Sequence, residues 1–206
     1  MEGLNWVSIL FLLAGIPSLV ILALSGSKTK ELSTILFGAA LASFLTGITV
    51  DLIYFEVERS RFRDWLELIS IASVLCALFI KARNSKPIFA RFPIQLTFLP
   101  YIVLFFFPMA VDTLVVKNLL QIIYQGGGII VAILLFSINH YLYKKRELLL
   151  ISSILFLAAY ILFWIIPADI SNVDLKLISN IVFTAGIISS SLGLKKLSEI
   201  KSKDLT

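Results

Sequence analysis

Residues 4–24 read LNWVSILFLLAGIPSLVILAL, a run without a charged side chain. A helix rises about 1.5 Å per residue, so this run is long enough to cross the hydrocarbon core of a bilayer, which is about 30 Å thick. The rest of the chain is similar: of its 206 residues 59% are hydrophobic and 15% are charged, and the mean hydropathy is +0.97. A water-soluble domain of this size cannot bury so much apolar surface. The sequence therefore predicts an integral membrane protein.

The remaining apolar runs are continuous and do not alternate with polar residues, which excludes a transmembrane barrel. Backbone polar groups in lipid must be satisfied within the structure, so each run should form a helix. We predict an all-α fold, a single domain over residues 1–206, in which seven transmembrane helices form a bundle. The predicted spans are residues 4–24, 32–54, 62–82, 90–110, 117–140, 148–167 and 174–194.

The basic residues predict the orientation of the chain. Thirteen of the 18 Lys and Arg residues lie after spans one, three and five or in the C-terminal tail, and five lie on the other side. Cytoplasmic loops carry the excess of Lys and Arg, so we expect the N-terminus outside and the C-terminus in the cytoplasm of a multi-pass protein of the plasma (cell inner) membrane. The net charge of +5 is explained by attraction to anionic headgroups at about 1 kcal/mol per residue. The expected partner is the lipid bilayer, and no nucleic acid is expected.

The chain offers few metal or redox ligands. Its one cysteine, Cys76, lies in the middle of a predicted span, and its one histidine, His140, lies at a predicted helix end. One cysteine excludes an internal disulfide and a thiolate metal site, and one histidine is too few for a zinc or haem centre. We therefore predict no metal.

Three carboxylates fall inside predicted spans, where an ionisable group costs about 2.5–3.5 kcal/mol at the centre on insertion scales. They are Asp51 in span two and Asp64 and Glu67 in span three. Asp64 and Glu67 are three residues apart and share a helical face, and Arg61 lies just above them. Two interpretations stay open: a charged cluster that lines an outward-facing cavity, or an interfacial salt-bridge cluster that holds helices two and three in register.

Other polar or small residues extend the list of candidates. Span five contains Gly126, Gly127 and Gly128, and the space beside Gly127 can be filled by a neighbouring helix or by a ligand ring. In span six Tyr160 and Trp164 share a face, which is typical of core packing or an interfacial anchor.

Three motifs resemble those of the microbial (type 1) rhodopsins. In span three, Arg61-Phe62-Arg63-Asp64-Trp65-Leu66 is similar to the family's Arg-x-x-Asp-Trp-Leu, in which the aspartate is the Schiff-base counter-ion. In span six, Tyr160 and Trp164 have the spacing of the aromatic pair that lines the retinal pocket. In span seven, Asn180-Ile181-Val182-Phe183-Thr184-Ala185-Gly186 is similar to Asp-x-x-x-Lys-x-Gly. The resemblance implies a rhodopsin-like bundle with the orientation predicted above.

The departures from the family pattern bear on function. Thr184 stands where the family has the retinal-binding lysine, and Asn180 stands at the second counter-ion position. Loss of the lysine and loss of the aspartate are consistent with each other, because a buried charge needs a partner. The resemblance therefore implies a relative without a Schiff base. We expect no covalently bound retinal. Binding of a non-covalent apolar ligand is compatible with these residues.

Two functions fit these residues. The first is a ligand- or partner-binding and signalling module, whose partner is a small apolar ligand, a membrane protein or a second copy of the chain. The alternative is a transporter of ions or small solutes that uses Asp51, Asp64, Glu67 and Arg61 as an outward-facing site. An enzyme is not expected, since no nucleophile, metal set or oriented base accompanies the carboxylates.

Overall fold

The computed structural model describes residues 6–53, 59–85, 90–110, 114–143, 147–162 and 173–203. These residues are helical throughout, apart from short turns, and contain no strand. Seven α-helices and one short 3-10 helix lie in the described ranges. They are α1 Trp6–Thr29, α2 Leu32–Ile53, α3 Arg59–Ser85, the 3-10 helix Ile94–Phe98, α4 Leu99–Ala110, α5 Leu114–Tyr143, α6 Glu147–Tyr160 and α7 Val173–Lys203.

Five of the helices are long and apolar enough to cross a membrane. Their apolar segments are Ser8–Lys28, Leu32–Val50, Trp65–Asn84, Gln121–Ile138 and Ile178–Leu197. Two shorter apolar segments, Ile94–Phe105 and Glu147–Tyr160, fall where spans four and six are predicted. The prediction of an all-helical chain with several membrane spans is therefore confirmed, and the seven-span count and the orientation stay predictions.

The chain divides into two compact units, Gly26–Gly128 and Met1–Ser25 with Ile129–Thr206. In the first unit α2, α4 and the 3-10 helix pack against α3. The side chains of Ala72, Ser73, Cys76 and Ala77 on α3 are completely buried. Small side chains let the neighbouring backbones approach closely, which is how helices associate in lipid, where the hydrophobic effect supplies no drive. The helix α3 is thus the centre of this unit.

In the second unit α7 packs against α6 through small residues spaced seven apart. The Ser179 hydroxyl donates to the Ala159 carbonyl oxygen at 3.0 Å. A Cβ atom on Gly186 would lie 2.7 Å from the Phe156 ring, and one on Gly193 would lie 2.9 Å from the Leu149 side chain. These two glycines and Ser179 therefore form the face of α7 that contacts α6.

Aromatic rings fill the interior of the same unit. The Phe183 ring of α7 meets Phe156 of α6 at a centroid distance of 5.2 Å, and it meets Phe11 of α1 edge to face at 5.8 Å. Both distances lie in the range in which aromatic pairs attract each other beyond simple burial. Phe183 thus joins α7 to both helices.

A buried ion pair joins α3 to the residue that precedes α2 in the first unit. Lys81 Nζ on α3 lies 3.7 Å from Glu31 Oε1, and Lys81 is only 7% exposed. The same glutamate caps α2, since its carbonyl oxygen accepts from the Thr34 and Ile35 amides at 2.9 and 3.1 Å. The Thr34 hydroxyl is 3.5 Å from Glu31 Oε2. Lys81 is one of the thirteen basic residues counted for the cytoplasmic side, and it lies inside α3, within the predicted span 62–82.

The turn before this pair has an unusual backbone. Lys30 lies in the left-handed region with φ of 51°, and its amide donates to the Gly26 carbonyl oxygen at 2.8 Å. A left-handed residue commonly ends a helix in this way, although glycine is the usual choice. The tight turn sets Glu31 at the start of α2, within reach of Lys81.

Candidate functional site

A carboxylate inside α3 is held by two amide side chains of α5. Gln121 Nε2 donates to Glu67 Oε1 at 2.7 Å, and Gln125 Nε2 is 3.4 Å from the same oxygen. Glu67 is the third residue of the apolar segment of α3, and Gln121 is the first residue of the apolar segment of α5. All three side chains are half-buried. Hydrogen bonds of this kind offset the cost of a polar group at membrane depth. We call Glu67, Gln121 and Gln125 the Glu67 cluster.

The face of α5 that carries the two glutamines is the face that packs on α3. A Cβ atom on Gly128, one turn further along, would lie 3.4 Å from the Leu75 side chain of α3. Gln121, Gln125 and Gly128 follow the spacing of four and three residues that keeps side chains on one side of a helix. The close helix contact in span five is therefore made at Gly128.

Gly127 faces a different direction from the Glu67 cluster. At 3.6 residues per turn it lies about 120° around α5 from Gln121 and about 160° from Gln125. A Cβ atom at Gly127 would meet nothing within 4 Å, and Ile123 and Ile130 on the same side are more than half exposed. The space at Gly127 is thus open, as a ligand pocket would require, but it is not beside Glu67.

Polar groups continue along α3 from Glu67. Ser70 and Ser73 follow at helical spacing and both are buried. The Ser73 hydroxyl donates to the Ile69 carbonyl oxygen at 2.7 Å and also contacts the Tyr101 hydroxyl of α4. A serine has one hydroxyl proton, so Tyr101 donates at the second contact. Beyond this pair the α3 interior turns apolar, with Cys76, Ala77 and Ile80 buried.

A second tyrosine, Tyr124, connects α5 to α4 in the first unit. The Tyr124 hydroxyl donates to the Pro100 carbonyl oxygen at 3.1 Å. Pro100 is the second residue of α4, where a missing backbone N–H has no cost. The bond restricts the rotation of α5 about its own axis. Tyr124 follows Gln121 by three residues and so lies near the same face of the helix. It therefore helps to hold both amides towards Glu67.

The structure describes Thr184 and Asn180, the two residues of span seven at which the chain departs from the rhodopsin pattern. Thr184 is 6% exposed, and its hydroxyl donates to the Asn180 carbonyl oxygen of its own helix at 2.7 Å. Asn180 and Tyr160 are half-buried. Thr184 thus lies in the packed interior of its unit and offers no amine there.

The other predicted site residues are placed only in part. The indole of Trp65, two residues before Glu67, is 37% exposed. The side chains of Asp51, Arg61 and Asp64 and the whole of Trp164 lie outside the described residues. Within the described part of the chain, no group of three or more His, Cys, Asp and Glu side chains is arranged to hold a metal ion.

The sequence reasoning missed both glutamines of the cluster. The available signal was their spacing, since two amides four residues apart on one face of an apolar span call for a polar partner. It also missed the Glu31–Lys81 pair, because neither residue lies near the middle of a span. Glu67 itself was a predicted site residue, and the side chain of Arg61, which was predicted to lie just above it, falls outside the described residues.

No family model matches the sequence, and neither a curated protein nor a solved structure matches it. The class of the protein follows from its own helices. Five apolar helices of membrane-spanning length, one of them carrying a hydrogen-bonded carboxylate, are the features of a multi-pass helical membrane protein.

Proposed function

We propose that the chain is a rhodopsin-like membrane protein without covalent retinal, and that it binds a small ligand non-covalently at the Glu67 cluster. The observation that carries the proposal is the 2.7 Å hydrogen bond between Gln121 and the Glu67 carboxylate. Ionisable residues inside membrane spans are expensive and commonly mark ligand or ion sites. Glu67 is half-buried, so the cluster keeps a surface that a ligand can contact.

The absence of a covalent chromophore link is supported by span seven. Thr184 is buried and hydrogen-bonded within its own helix, and a threonine hydroxyl cannot form the imine that a lysine amine forms with retinal. The buried lysine that the structure does describe, Lys81, lies beside the carboxylate of Glu31. A charged ammonium in such a pair is not a nucleophile.

The test of this proposal has two readouts on the purified full-length protein. Added all-trans retinal is expected to give no red-shifted visible band and no adduct that survives borohydride reduction. Dicyclohexylcarbodiimide, which reacts with carboxyl groups at membrane depth, is expected to label Glu67. Labelling is read by mass spectrometry of the peptide that contains Glu67, and the variant Glu67→Gln supplies the unlabelled control.

Two results would remove the proposal. A red-shifted, borohydride-stable retinal adduct would show a Schiff base and end the claim of a non-covalent site. The second result is that Glu67 stays unlabelled while an apolar reagent of the same size labels other membrane-facing residues. Small molecules would then be shown not to reach the cluster.

A transporter is the second candidate function. It is favoured by the buried hydroxyl groups that follow Glu67 along α3 and by the one that contacts them from α4. Ser70, Ser73 and Tyr101 continue the polar face of α3 and α4 towards the middle of the span. Against a continuous path, the buried residues of α3 that follow Ser73 are Leu75, Cys76, Ala77 and Leu78. A dry segment of this kind is a barrier to ions.

Ion flux into liposomes separates the two candidates. If the chain is a binding module, reconstituted wild-type protein gives flux no higher than empty liposomes. If it is a transporter, wild-type flux exceeds that background, and Glu67→Gln lowers it at least tenfold, because the carboxylate is the charged group of the described path. Asp64→Asn, tested in parallel, reports on the second carboxylate predicted for this site.

A further inference from the structure

Two arginines lie together at the end of α3, where the chain approaches the 3-10 helix. Arg83 Nε donates to the Phe92 carbonyl oxygen at 2.9 Å, and Arg83 Nη2 donates to the Ala90 carbonyl oxygen at 3.2 Å. These two carbonyl groups flank Arg91 along the chain, so the charge of Arg83 lies beside the backbone of Arg91. The Arg91 side chain is exposed, and within the described structure it makes no hydrogen bond or ion pair.

The turn that Arg83 holds lies at the end of a membrane span. Arg83 is the last residue but one of the apolar segment Trp65–Asn84 of α3. Beside it the side chains of Phe92 and Ile94 are 54% and 41% exposed. Exposed apolar side chains next to basic ones are typical of an interfacial anchor, in which the apolar groups enter the acyl layer and the charges stay at the headgroups. We call Arg83, Arg91, Phe92 and Ile94 the Arg91 surface.

The Arg91 surface is positively charged. Residues 68–111 contain four basic residues and no aspartate or glutamate. Glu31, the carboxylate that does reach the end of α3, pairs with Lys81. Lys81 and Arg83 are two residues apart and therefore point about 200° apart around the helix. Glu31 thus contacts α3 on the side opposite to Arg83.

We infer that the Arg91 surface binds the headgroup phosphate of an anionic phospholipid. A guanidinium group donates two parallel hydrogen bonds to a phosphate, and the exposed side chain of Arg91 is able to do so. The charge of Arg83 adds to the attraction, and its hydrogen bonds to the backbone keep the turn ordered before the lipid binds. The exposed ring of Phe92 lies where the acyl chains begin, which favours a lipid over a soluble anion. This inference is independent of the Glu67 cluster.

Native mass spectrometry of the full-length protein in a neutral detergent counts the lipids that bind. Dioleoylphosphatidylglycerol should bind about tenfold more tightly than dioleoylphosphatidylcholine, because only the first headgroup carries a net negative charge. The two lipids have the same acyl chains, so the difference reports on the headgroup. A higher concentration of ammonium acetate should reduce the preference, since salt screens exposed charges. Inorganic phosphate at the concentration of the lipid should leave the binding unchanged.

The variants assign the preference to the Arg91 surface. Arg91→Gln should weaken phosphatidylglycerol binding about fivefold, the contribution of one basic residue at an anionic surface, and should leave phosphatidylcholine binding unchanged. Arg91→Lys keeps the charge and loses the paired donors, so its loss should be smaller. Lys196→Gln removes the same charge from an exposed position on α7 and is the matched control, which should keep the wild-type preference.

Three results would overturn the inference. The first is equal affinity of the wild type for the two lipids, a measurement that needs no variant to fold. The second is an equal loss in Arg91→Gln and Lys196→Gln, since binding would then follow the net charge of the protein. The third is displacement of phosphatidylglycerol by an equal concentration of inorganic phosphate, which would show a site for a free anion.

Discussion

Replacing Glu31 with glutamine is expected to lower the free energy of unfolding by about 3 kcal/mol, because it leaves the buried ammonium of Lys81 without its carboxylate. The two groups are 3.7 Å apart and Lys81 is 7% exposed. Removal of one member of a buried pair costs about 3–5 kcal/mol, and the lower value applies because Glu31 keeps some exposure. Unfolding by sodium dodecyl sulfate from a mild detergent, followed by tryptophan fluorescence, measures the effect.

The double variant Glu31→Gln, Lys81→Met distinguishes an ion pair from simple packing. Buried pairs are often replaced by apolar residues at little cost, so the double variant should recover most of the stability that the single variant loses. Lys28→Gln, at an exposed position near the end of α1, is the control and should change the stability by less than about 0.5 kcal/mol. Equal losses in the single and the double variant would contradict the interpretation of the contact as an ion pair.

Replacing Gly186 with alanine is expected to lower the free energy of unfolding by about 1–3 kcal/mol, the usual cost of forcing extra volume into a packed interior. The new Cβ atom would lie 2.7 Å from the Phe156 ring. That ring also packs on Phe183, so it has little freedom to move away. Gly193→Ala should have a similar effect, because the Leu149 side chain lies 2.9 Å from the expected Cβ position.

Gly127→Ala is the matched control for the glycine variants. Nothing lies within 4 Å of the expected Cβ atom, and alanine favours a helix interior by about 1 kcal/mol over glycine. We therefore expect unchanged or slightly higher stability, measured by the same detergent titration. Loss of stability at Gly127 equal to the loss at Gly186 would contradict the packing described for both helices.

Of the residues in the candidate site, only the charged residue Glu67 was predicted from the sequence. Glu67 is visible in the sequence because a carboxylate in an apolar run is rare, and its cost can be estimated from composition alone. Its partners Gln121 and Gln125 are 54 and 58 residues away along the chain. The spacing of the two glutamines indicates a polar face of α5, but nothing local to either segment specifies that this face meets α3. The contact also depends on side chains outside the cluster, such as Gly128 against Leu75.

The sequence could not say which of three adjacent glycines makes a helix contact. Gly127 and Gly128 differ by one residue, which turns the direction of a side chain by about 100°. The structure assigns the contact with Leu75 to Gly128 and leaves the space beside Gly127 open. A similar limit applies to Lys81, which belongs to the basic residues near a helix end by position, but is buried against Glu31 in the fold.

The sequence by itself determined that the chain is helical and suited to a lipid bilayer, because length and apolar content are local properties that a single run of residues carries. Only the tertiary structure decided which polar groups meet: Gln121 and Gln125 with Glu67, Lys81 with Glu31, and Ser73 with Tyr101. The physical reason is that such pairs depend on the rotation and vertical register of whole helices. These are set by the sum of many small packing contacts between segments far apart in the chain.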